Sequence, residues 1–437
     1  MGPGIKYSWG MKRVVILIFA AAAAVSAVRA QPGSPPDSAA PPTLTPEAAV
    51  ELALANNPSL ARSRVDLAAA ERSLSRAWNS MAPGLTLSAS ARRASAAETV
   101  TQSGSVGVSV TLAPRTVHEV RKARATLEVQ TLTYETAARS LELEVRKTYF
   151  SLVLARETIA VLRQALATAQ KAYDQVEVKR RAGLASELDA LSARVNLENL
   201  RPGLESALVG YESQQARFKQ TLGLKQIAPL FLAGTLAEAA AVSSVDFSGF
   251  SGESPSVAAL RASLESARAQ EAAARSAARS PSLTLSGSYS PQSVDAGPWS
   301  DTGSVSAVLS FSLDKLLPWS AAREDADKAR DTVVKTESQL VEAAAGAEIS
   351  ARSLRRSIEQ SLASLAARRL TVELAERSYR LTEEAYNFGT KDLLSLQKAG
   401  DNLQDARANL LKEAFTLVSA LLDLEFALGA PFGTLGR

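Results

Sequence analysis

Two stretches that lack helix breakers constrain this chain more than any other feature of its sequence. Residues 116–181 contain neither proline nor glycine, and residues 320–386 contain a single glycine, Gly346, and no proline. Leucine, valine and isoleucine recur in both at helical spacing, which predicts two continuous helices. At about 1.5 Å per residue, each helix would be roughly 100 Å long. Helices of this length pair as coiled coils or build an elongated assembly.

The two helices are parts of an internal duplication. Each copy is predicted to begin with a helix, at about 59–80 and about 256–279, which is followed by a proline and two short strands. The long helix, a glycine interruption and a further helix complete the copy. The fold is therefore predicted to be mainly α with a small β part, in two tandem repeats of helix–strand–strand–long helix–turn–helix. The corresponding landmarks are Pro58 and Pro255, Pro83 and Pro281, Gly104 and Gly303, and Gly183 and Gly389.

The strands alternate apolar residues with serine, threonine and glycine, which is the period-two signature of a β-strand. The polar stretches 93–103 and 291–302 are predicted to be the loops that join each pair. One apolar and one polar face over about ten residues is typical of membrane β-barrel strands. The predicted apolar faces contain Leu85 and Leu87; Val106, Val108 and Val110; Leu283, Leu285 and Tyr289; and Leu309 and Phe311.

Four strands cannot close a barrel, because the smallest barrels need about eight. Open strand edges cannot lie in lipid, where their N–H and C=O groups would have no partners. If these are membrane strands, the barrel must therefore combine strands from several chains. Trp78, Trp299 and Trp319 lie close to strand ends, where aromatic side chains are expected at a membrane interface.

The N-terminus has the features of an export signal. Residues 1–30 combine Lys12 and Arg13 with an apolar run over 14–28, and the segment 31–43, rich in proline, serine and alanine, is predicted to be a flexible tail. The formal charge of +4 equals the number of basic residues within 1–30, which contains no acid, so the rest of the chain is neutral. This balance argues against nucleic acid as a partner.

Composition also argues against an enzyme. The chain has no cysteine and one histidine, His118, which is predicted to lie on the surface of a helix. We find no glycine-rich phosphate loop, and the charged residues recur on helix faces, where solvated ion pairs are their expected role. No catalytic residue, cofactor or metal site is predicted.

Five segments together resemble the TolC family of outer-membrane efflux proteins. They are the opening segment 44–90 with Asn57-Pro58, the helix segment 145–159 with its Tyr-Phe pair, the two turns at 182–191 and 388–396, and the connector 230–236. The resemblance extends over about residues 44–430. It implies a homotrimer in which four strands per chain form a twelve-stranded outer-membrane barrel, continued by a long periplasmic α-helical barrel.

The resemblance also implies a division of the chain and a function. The protein would be the passive exit duct of a tripartite efflux pump or type I secretion system, in contact with outer-membrane lipid, a periplasmic adaptor and an inner-membrane transporter. A periplasmic coiled-coil adaptor or scaffold protein is the alternative. The expected parts are a first efflux repeat over 44–225, an equatorial connector over 226–254, a second repeat over 255–430 and a C-terminal tail over 431–437.

The two glycine turns would then be the periplasmic tips at which the adaptor docks. Glycine readily adopts the positive φ that ends a helix. Ser186 is expected to cap the next helix with Asp189 in its first turn, and Thr390 to cap similarly in the second turn. A purely structural capping role remains open. The candidate docking residues are Gly183, Leu184, Ser186, Asp189, Gly389, Thr390 and Asp392.

Two positions depart from the family pattern. Family members often carry two aspartates after the second turn that narrow the tunnel, and aligning from Gly389 places Ser395 and Lys398 there. A constriction at these residues would therefore not be the usual acidic one. Pro202, in the helix that returns from the first turn, is expected to kink or break that helix.

Overall fold

The computed structural model describes residues 43–94, 99–225, 230–242 and 253–435. The predicted signal peptide, all but Thr43 of the predicted N-terminal tail and part of the predicted connector lie outside these ranges. The described part is mostly helical. Its helices are α1 (Pro46–Asn56), α2 (Pro58–Arg76), α3 (Arg115–Arg181), α4 (Glu187–Thr221), α5 (Leu236–Ala239), α6 (Pro255–Arg279), α7 (Ala321–Asn387) and α8 (Leu393–Ala427). Its strands are β1 (Thr43–Leu44), β2 (Gly84–Ala94), β3 (Thr99–Leu112), β4 (Phe231–Leu232), β5 (Ser282–Val294) and β6 (Ser300–Ser310).

The two predicted long helices are α3 and α7, each 67 residues in length. Their bounds lie within one residue of the prediction because the sequence supplies no breaker between the flanking turns. A kink or a break was expected at Pro202, and the helix α4 continues through this residue without a break. No helix within the described ranges is both long and apolar enough to cross a bilayer.

The helices follow the duplication. In the first copy, α2 and α4 both pack on α3, and in the second, α6 and α8 both pack on α7. Both α6 and α8 also contact α3, so they lie between the two long helices. Each long helix thus packs against two shorter helices of its own copy. One of them precedes the two strands, and the other follows the turn at the tip.

The four longer strands form one antiparallel sheet in the order β2-β3-β5-β6. They extend further than predicted, because residues of the expected loops 93–103 and 291–302 pair within the ladders. Thr101, Ser103, Ser300 and Thr302 are tolerated there because their side chains occupy the polar face. The β5–β6 connection closes in a tight turn, in which Asp295 and Ala296 have positive φ and Gly297 N donates to Val294 O at 2.9 Å.

Phe311 was predicted to be a strand residue, and this prediction is wrong. The strand β6 ends at Ser310, which pairs with Ser282. The next position opposite Phe311 would be Pro281, whose ring nitrogen has no hydrogen to donate, so the ladder stops.

The largest apolar core lies around the middle of α3. Here β1 and β4 form a parallel pair, and Tyr149, which is 1% exposed, places its hydroxyl 2.8 Å from Leu44 O and 2.7 Å from Ala233 O. This core joins residues of α1, α3, α5, α7, α8 and the C-terminal segment. The first residues of the first copy, the described connector and the end of α8 therefore meet at one level of the fold.

The C-terminal segment is held by a buried carboxylate of α8. Glu425 is 1% exposed, and its two oxygens accept hydrogen bonds from three successive backbone amides, Gly433 (2.9 Å), Thr434 (2.7 Å) and Leu435 (2.9 Å). Leu435 is itself buried. Residues 433–435, within the predicted tail, are thus fixed against α8.

Candidate functional site: a two-faced sheet and two helical tips

The sheet has one apolar face and one hydroxyl face. Residues paired across adjacent strands project to the same side, and successive residues along a strand alternate. Leu87 pairs with Val106, Val106 with Tyr289, and Leu285 with Ala307. Every predicted apolar strand residue except Phe311 therefore lies on a single face, and many of these side chains are exposed in the single chain.

The opposite face is lined by paired hydroxyl groups. Four serine pairs bridge neighbouring strands, with Oγ to Oγ distances of 2.7 to 2.9 Å. Because a serine hydroxyl both donates and accepts, each pair satisfies part of its own hydrogen bonding. This face suits contact with water and the other suits contact with hydrocarbon. The pairs are Ser88–Ser105, Ser90–Ser103, Ser286–Ser306 and Ser288–Ser304.

Both outer strands of the sheet have an open edge. In the order β2-β3-β5-β6, β2 pairs only with β3, and β6 pairs only with β5. The two edge strands have the same length, 11 residues. An open edge presents unpaired N–H and C=O groups and is a template for another strand.

The first interruption, between α3 and α4, is a helix stop followed by a capped helix start. Gly183 has φ of 73°, and Leu184 N donates to Lys179 O at 2.8 Å, which closes α3 with a Schellman motif. Ser186 Oγ accepts from Asp189 N and Asp189 Oδ2 accepts from Ser186 N, both at 3.1 Å. The expected cap is therefore present as a complete capping box.

The second interruption, between α7 and α8, differs from the prediction in its cap. Thr390 does not cap α8, because its N–H and hydroxyl both donate to Ala385 O and so end α7. Gly389 has φ of 74°, and the cap is Asp392, whose Oδ1 accepts from Ser395 N at 3.0 Å. The prediction assigned the cap two residues too early.

The two caps use the same pair of residue types in opposite order. In the first, serine is the cap and aspartate lies three residues later; in the second, Asp392 is the cap and Ser395 lies three residues later. Hydrogen bonds from the Ser395 side chain and backbone hold the pKa of Asp392 below its ordinary value. The sequence indicates Ser395 only as a position at which family members often carry aspartate. In the structure, Ser395 is the hydrogen-bond partner of the Asp392 cap.

The ends of the two hairpins pack on each other. Val176, Ala190 and Ala193 of the first form a buried cluster with Tyr386, Leu393 and Leu396 of the second. Lys179 Nζ lies 4.1 Å from the centroid of the Tyr386 ring, within cation–π range. Burial, and to a lesser extent the Asp189 carboxylate, raise the pKa of Tyr386. No sequence pattern marks Lys179 and Tyr386, since only the packing of the two hairpin ends brings them together.

The remaining candidate residues differ in their exposure to solvent. Leu184 is 79% exposed at the first tip, and Phe388, next to Gly389 at the second, is 85% exposed. Lys398 is exposed on the second turn of α8, whereas Ser395 is half-buried. His118 lies in α3 and is half-buried, with a buried Nδ1 that has no hydrogen-bond partner among the described residues, so it is less exposed than the sequence suggested.

The profile of a known family matches most of the chain. The outer membrane efflux protein family matches residues 49–236 and 251–430, one segment in each copy of the duplication. The chain belongs to the outer membrane efflux protein family. The family resemblance seen in the sequence is thereby confirmed, and the mainly α fold with its long helices agrees with it. This efflux protein acts as an exit duct in the outer membrane and extends into the periplasm.

Solved structures share the fold at low sequence identity. A Campylobacter jejuni channel, the CmeC outer membrane channel, has a TM-score of 0.76 at 19% identity, covering 88% of this chain and 85% of the other. The Vibrio cholerae outer membrane protein VceC has a TM-score of 0.75 at 18% identity, covering 89% and 96%. A membrane protein from Pseudomonas aeruginosa has a TM-score of 0.74 at 21% identity, covering 88% and 90%. Comparison with curated protein sequences found no match.

Family and fold are those of channel proteins. The surfaces that stand out in the described ranges are a sheet with one apolar and one hydroxyl face and two exposed helical tips.

Proposed function

We propose that three copies of this chain assemble into one outer-membrane channel, which passively conducts cargo from a periplasm-spanning pump to the exterior. Each copy supplies the four strands β2, β3, β5 and β6 to a twelve-stranded barrel, and α2 to α4 and α6 to α8 continue the duct into the periplasm. The two efflux repeats, 44–225 and 255–430, are the building units, and the connector between them joins them at the level of the central core. A periplasmic adaptor and an inner-membrane transporter complete the pump, and the channel itself carries out no catalysis.

One observation carries this proposal: the sheet has an apolar face, a hydroxyl face and two open edges of equal length. A soluble coiled-coil scaffold would have no use for an exposed apolar sheet face. A single copy cannot place the sheet in lipid, because its edge groups would be unpaired there. Pairing β6 of one copy with β2 of the next satisfies both edges and closes the barrel when three copies are joined.

Membrane fractionation of the expressed protein tests the assembly. We expect a detergent-requiring oligomer that runs as a trimer on unheated SDS gels and as a monomer after heating. A monodisperse monomer that stays in solution without detergent would contradict the proposal. Neighbouring residues provide a matched pair: Val108→Asp places a charge on the apolar face and should reduce the trimer, whereas Ser109→Asp on the hydroxyl face should be tolerated.

We also propose that the tips around Gly183 and Gly389 bind the adaptor. Leu184 and Phe388 support this, because they lie beside these glycines and expose most of their apolar surface to solvent. Their exposure serves no purpose within the chain, since the turns are already completed by the Schellman motifs and caps. The adaptor surface suited to them is an apolar one that covers both side chains.

Efflux by cells that depend on this channel separates docking from capping. Leu184→Ser and Phe388→Ser should abolish efflux while leaving the amount of trimer in the membrane unchanged. Ser186→Ala is the control, because it removes the cap at a cost of about 1 kcal/mol but leaves Leu184 exposed. Normal efflux in both serine variants would leave these turns with a structural role only.

A further inference from the structure

Two opposite charges stand on the apolar face of the sheet, one at each open edge. Arg93 is the last residue but one of β2, and Asp301 is the second residue of β6. The pairs Arg93–Val100 and Pro291–Asp301 place both on the side that carries Leu87, with the other apolar strand residues. Among the described strands β2, β3, β5 and β6, this face has no further charged residue.

A charge on a lipid-facing wall is unfavourable unless it finds a partner or lies near the interface. Within one chain, Asp301 accepts a hydrogen bond from Tyr289 at 3.1 Å. Arg93 forms no ion pair with any residue of the described ranges. Within the described ranges the guanidinium group thus has no counter-charge, and the carboxylate has only a neutral donor.

The open edges bring the two charges together when copies are joined. The strands β2 and β6 run in opposite directions, so β6 of one copy and β2 of the next pair as antiparallel neighbours. Equal lengths allow an end-to-end register in which Gly84 opposes Ser310 and Arg93 opposes Asp301. A slip of one residue would turn apolar side chains to the hydroxyl face and is therefore disfavoured.

A register shifted by two residues in either direction keeps the apolar side chains of both strands on the same face of the sheet. Arg93 and Asp301 then become diagonal neighbours, about 7–8 Å apart at their Cα atoms, which is still within reach of a long side chain. The neighbouring Arg92 pairs with Thr101 and lies on the hydroxyl face, so it cannot take the place of Arg93 in any of these registers.

We propose that Arg93 of one copy forms an ion pair with Asp301 of the next copy across the β2–β6 seam, on the outer face of the barrel. This contact rests on the proposed trimer and adds to it the identity of the residues that join the copies. Three such pairs occur in the closed barrel, each at the end of the strands remote from α3 and α7. The Asp301 carboxylate accepts only one hydrogen bond from Tyr289 on the neighbouring strand β5, so it keeps lone pairs with which to accept from the guanidinium group.

Charge reversal tests the pair, with the temperature at which the trimer converts to monomer in SDS as the readout. Arg93→Asp and Asp301→Arg should each lower this temperature, because like charges then face each other. The double variant Arg93→Asp/Asp301→Arg should recover most of the loss. The control Arg92→Asp/Asp301→Arg should show no recovery, and Tyr289→Phe measures the loss of the tyrosine hydrogen bond alone.

Crosslinking gives an independent measurement, since the chain has no native cysteine. A short thiol crosslinker should join copies of Arg93→Cys/Asp301→Cys into covalent trimers, and should leave Arg92→Cys/Asp301→Cys, with thiols on opposite faces, uncrosslinked. A wild-type protein that never forms a trimer would overturn the proposed function and the pair together. A wild-type trimer in which neither charge exchange nor crosslinking distinguishes Arg93 from Arg92 would overturn the pair alone.

Discussion

Replacement of Glu425 by glutamine should release the C-terminal segment from α8. The carboxylate is almost fully buried and accepts from the amides of Gly433, Thr434 and Leu435. Glutamine has nearly the same shape, but only one of its two terminal atoms accepts hydrogen bonds. Its oxygen can remain with Thr434 and Leu435, and its NH₂ group then faces the Gly433 N–H, donor against donor.

The size of the effect follows from these contacts. A hydrogen bond to a charged group contributes ~1.5–3 kcal/mol, and a buried donor left without a partner costs a similar amount. We therefore expect the free energy that keeps the segment closed to fall by about 2–3 kcal/mol. At about 1.4 kcal/mol per factor of ten, this corresponds to ~30- to ~140-fold more frequent opening.

Hydrogen exchange measured by mass spectrometry on the C-terminal peptide reports this opening directly. Exchange at Gly433, Thr434 and Leu435 should accelerate by the stated factor in Glu425→Gln. Asp423→Asn is the control, because it makes the same acid-to-amide change on α8 at a residue paired with Lys147 rather than with the C-terminal amides. Unchanged exchange in Glu425→Gln, or equal acceleration in both variants, would refute the assigned role.

Three further predictions concern the tips. Asp392→Asn removes the charge of the α8 cap and should lower the protection of the Ser395 amide from hydrogen exchange. Because the pKa of Asp392 is lowered in the fold, the stabilisation by its charge is present above the unfolded pKa and is lost as pH falls through the lowered value. Acid should therefore lower the protection factor of this amide, which is the exchange rate corrected for its intrinsic pH dependence, in wild type and not in the variant. Lys179→Met and Tyr386→Leu in a double-mutant cycle should show a coupling of about 0.5–2 kcal/mol in thermal unfolding, as expected for a partly desolvated cation–π pair, and additive effects would contradict it. Lys398→Glu should shift the ion selectivity of channels in planar bilayers towards cations, and an unchanged reversal potential would place Lys398 away from the constriction.

The helices and the apolar strand faces were predictable from the sequence because both depend on local pattern. The bounds of α3 and α7 follow from proline and glycine positions, and the face shared by Leu85, Val106 and Leu283 follows from alternation. The strand ends were not predictable in this way. Polar residues near 93–103 and 291–302 look like loops, but pairing with a neighbouring strand overrides local preference.

The cap of α8 could not be predicted from the local sequence pattern alone. Thr390 directly follows a glycine and has a suitable side chain, yet its amide is already used to close α7, so the helix start moves to Asp392. Placing Gly183 over Gly389 would have identified the correct residue, since both caps lie three residues after the glycine. The contact of Lys179 with Tyr386 had no such signal, because about 200 residues separate the two in the chain.

The open edges of the sheet also constrain the order of events by which such a channel reaches its membrane. A lone copy that entered the bilayer would carry two 11-residue edges with unpaired backbone groups into hydrocarbon, at a cost of several kcal/mol for each group. Partial assemblies of two copies would still have two such edges. In the proposed trimer, copies would therefore have to meet before or during insertion, which would make the rate of insertion steeply dependent on the concentration of newly exported chains.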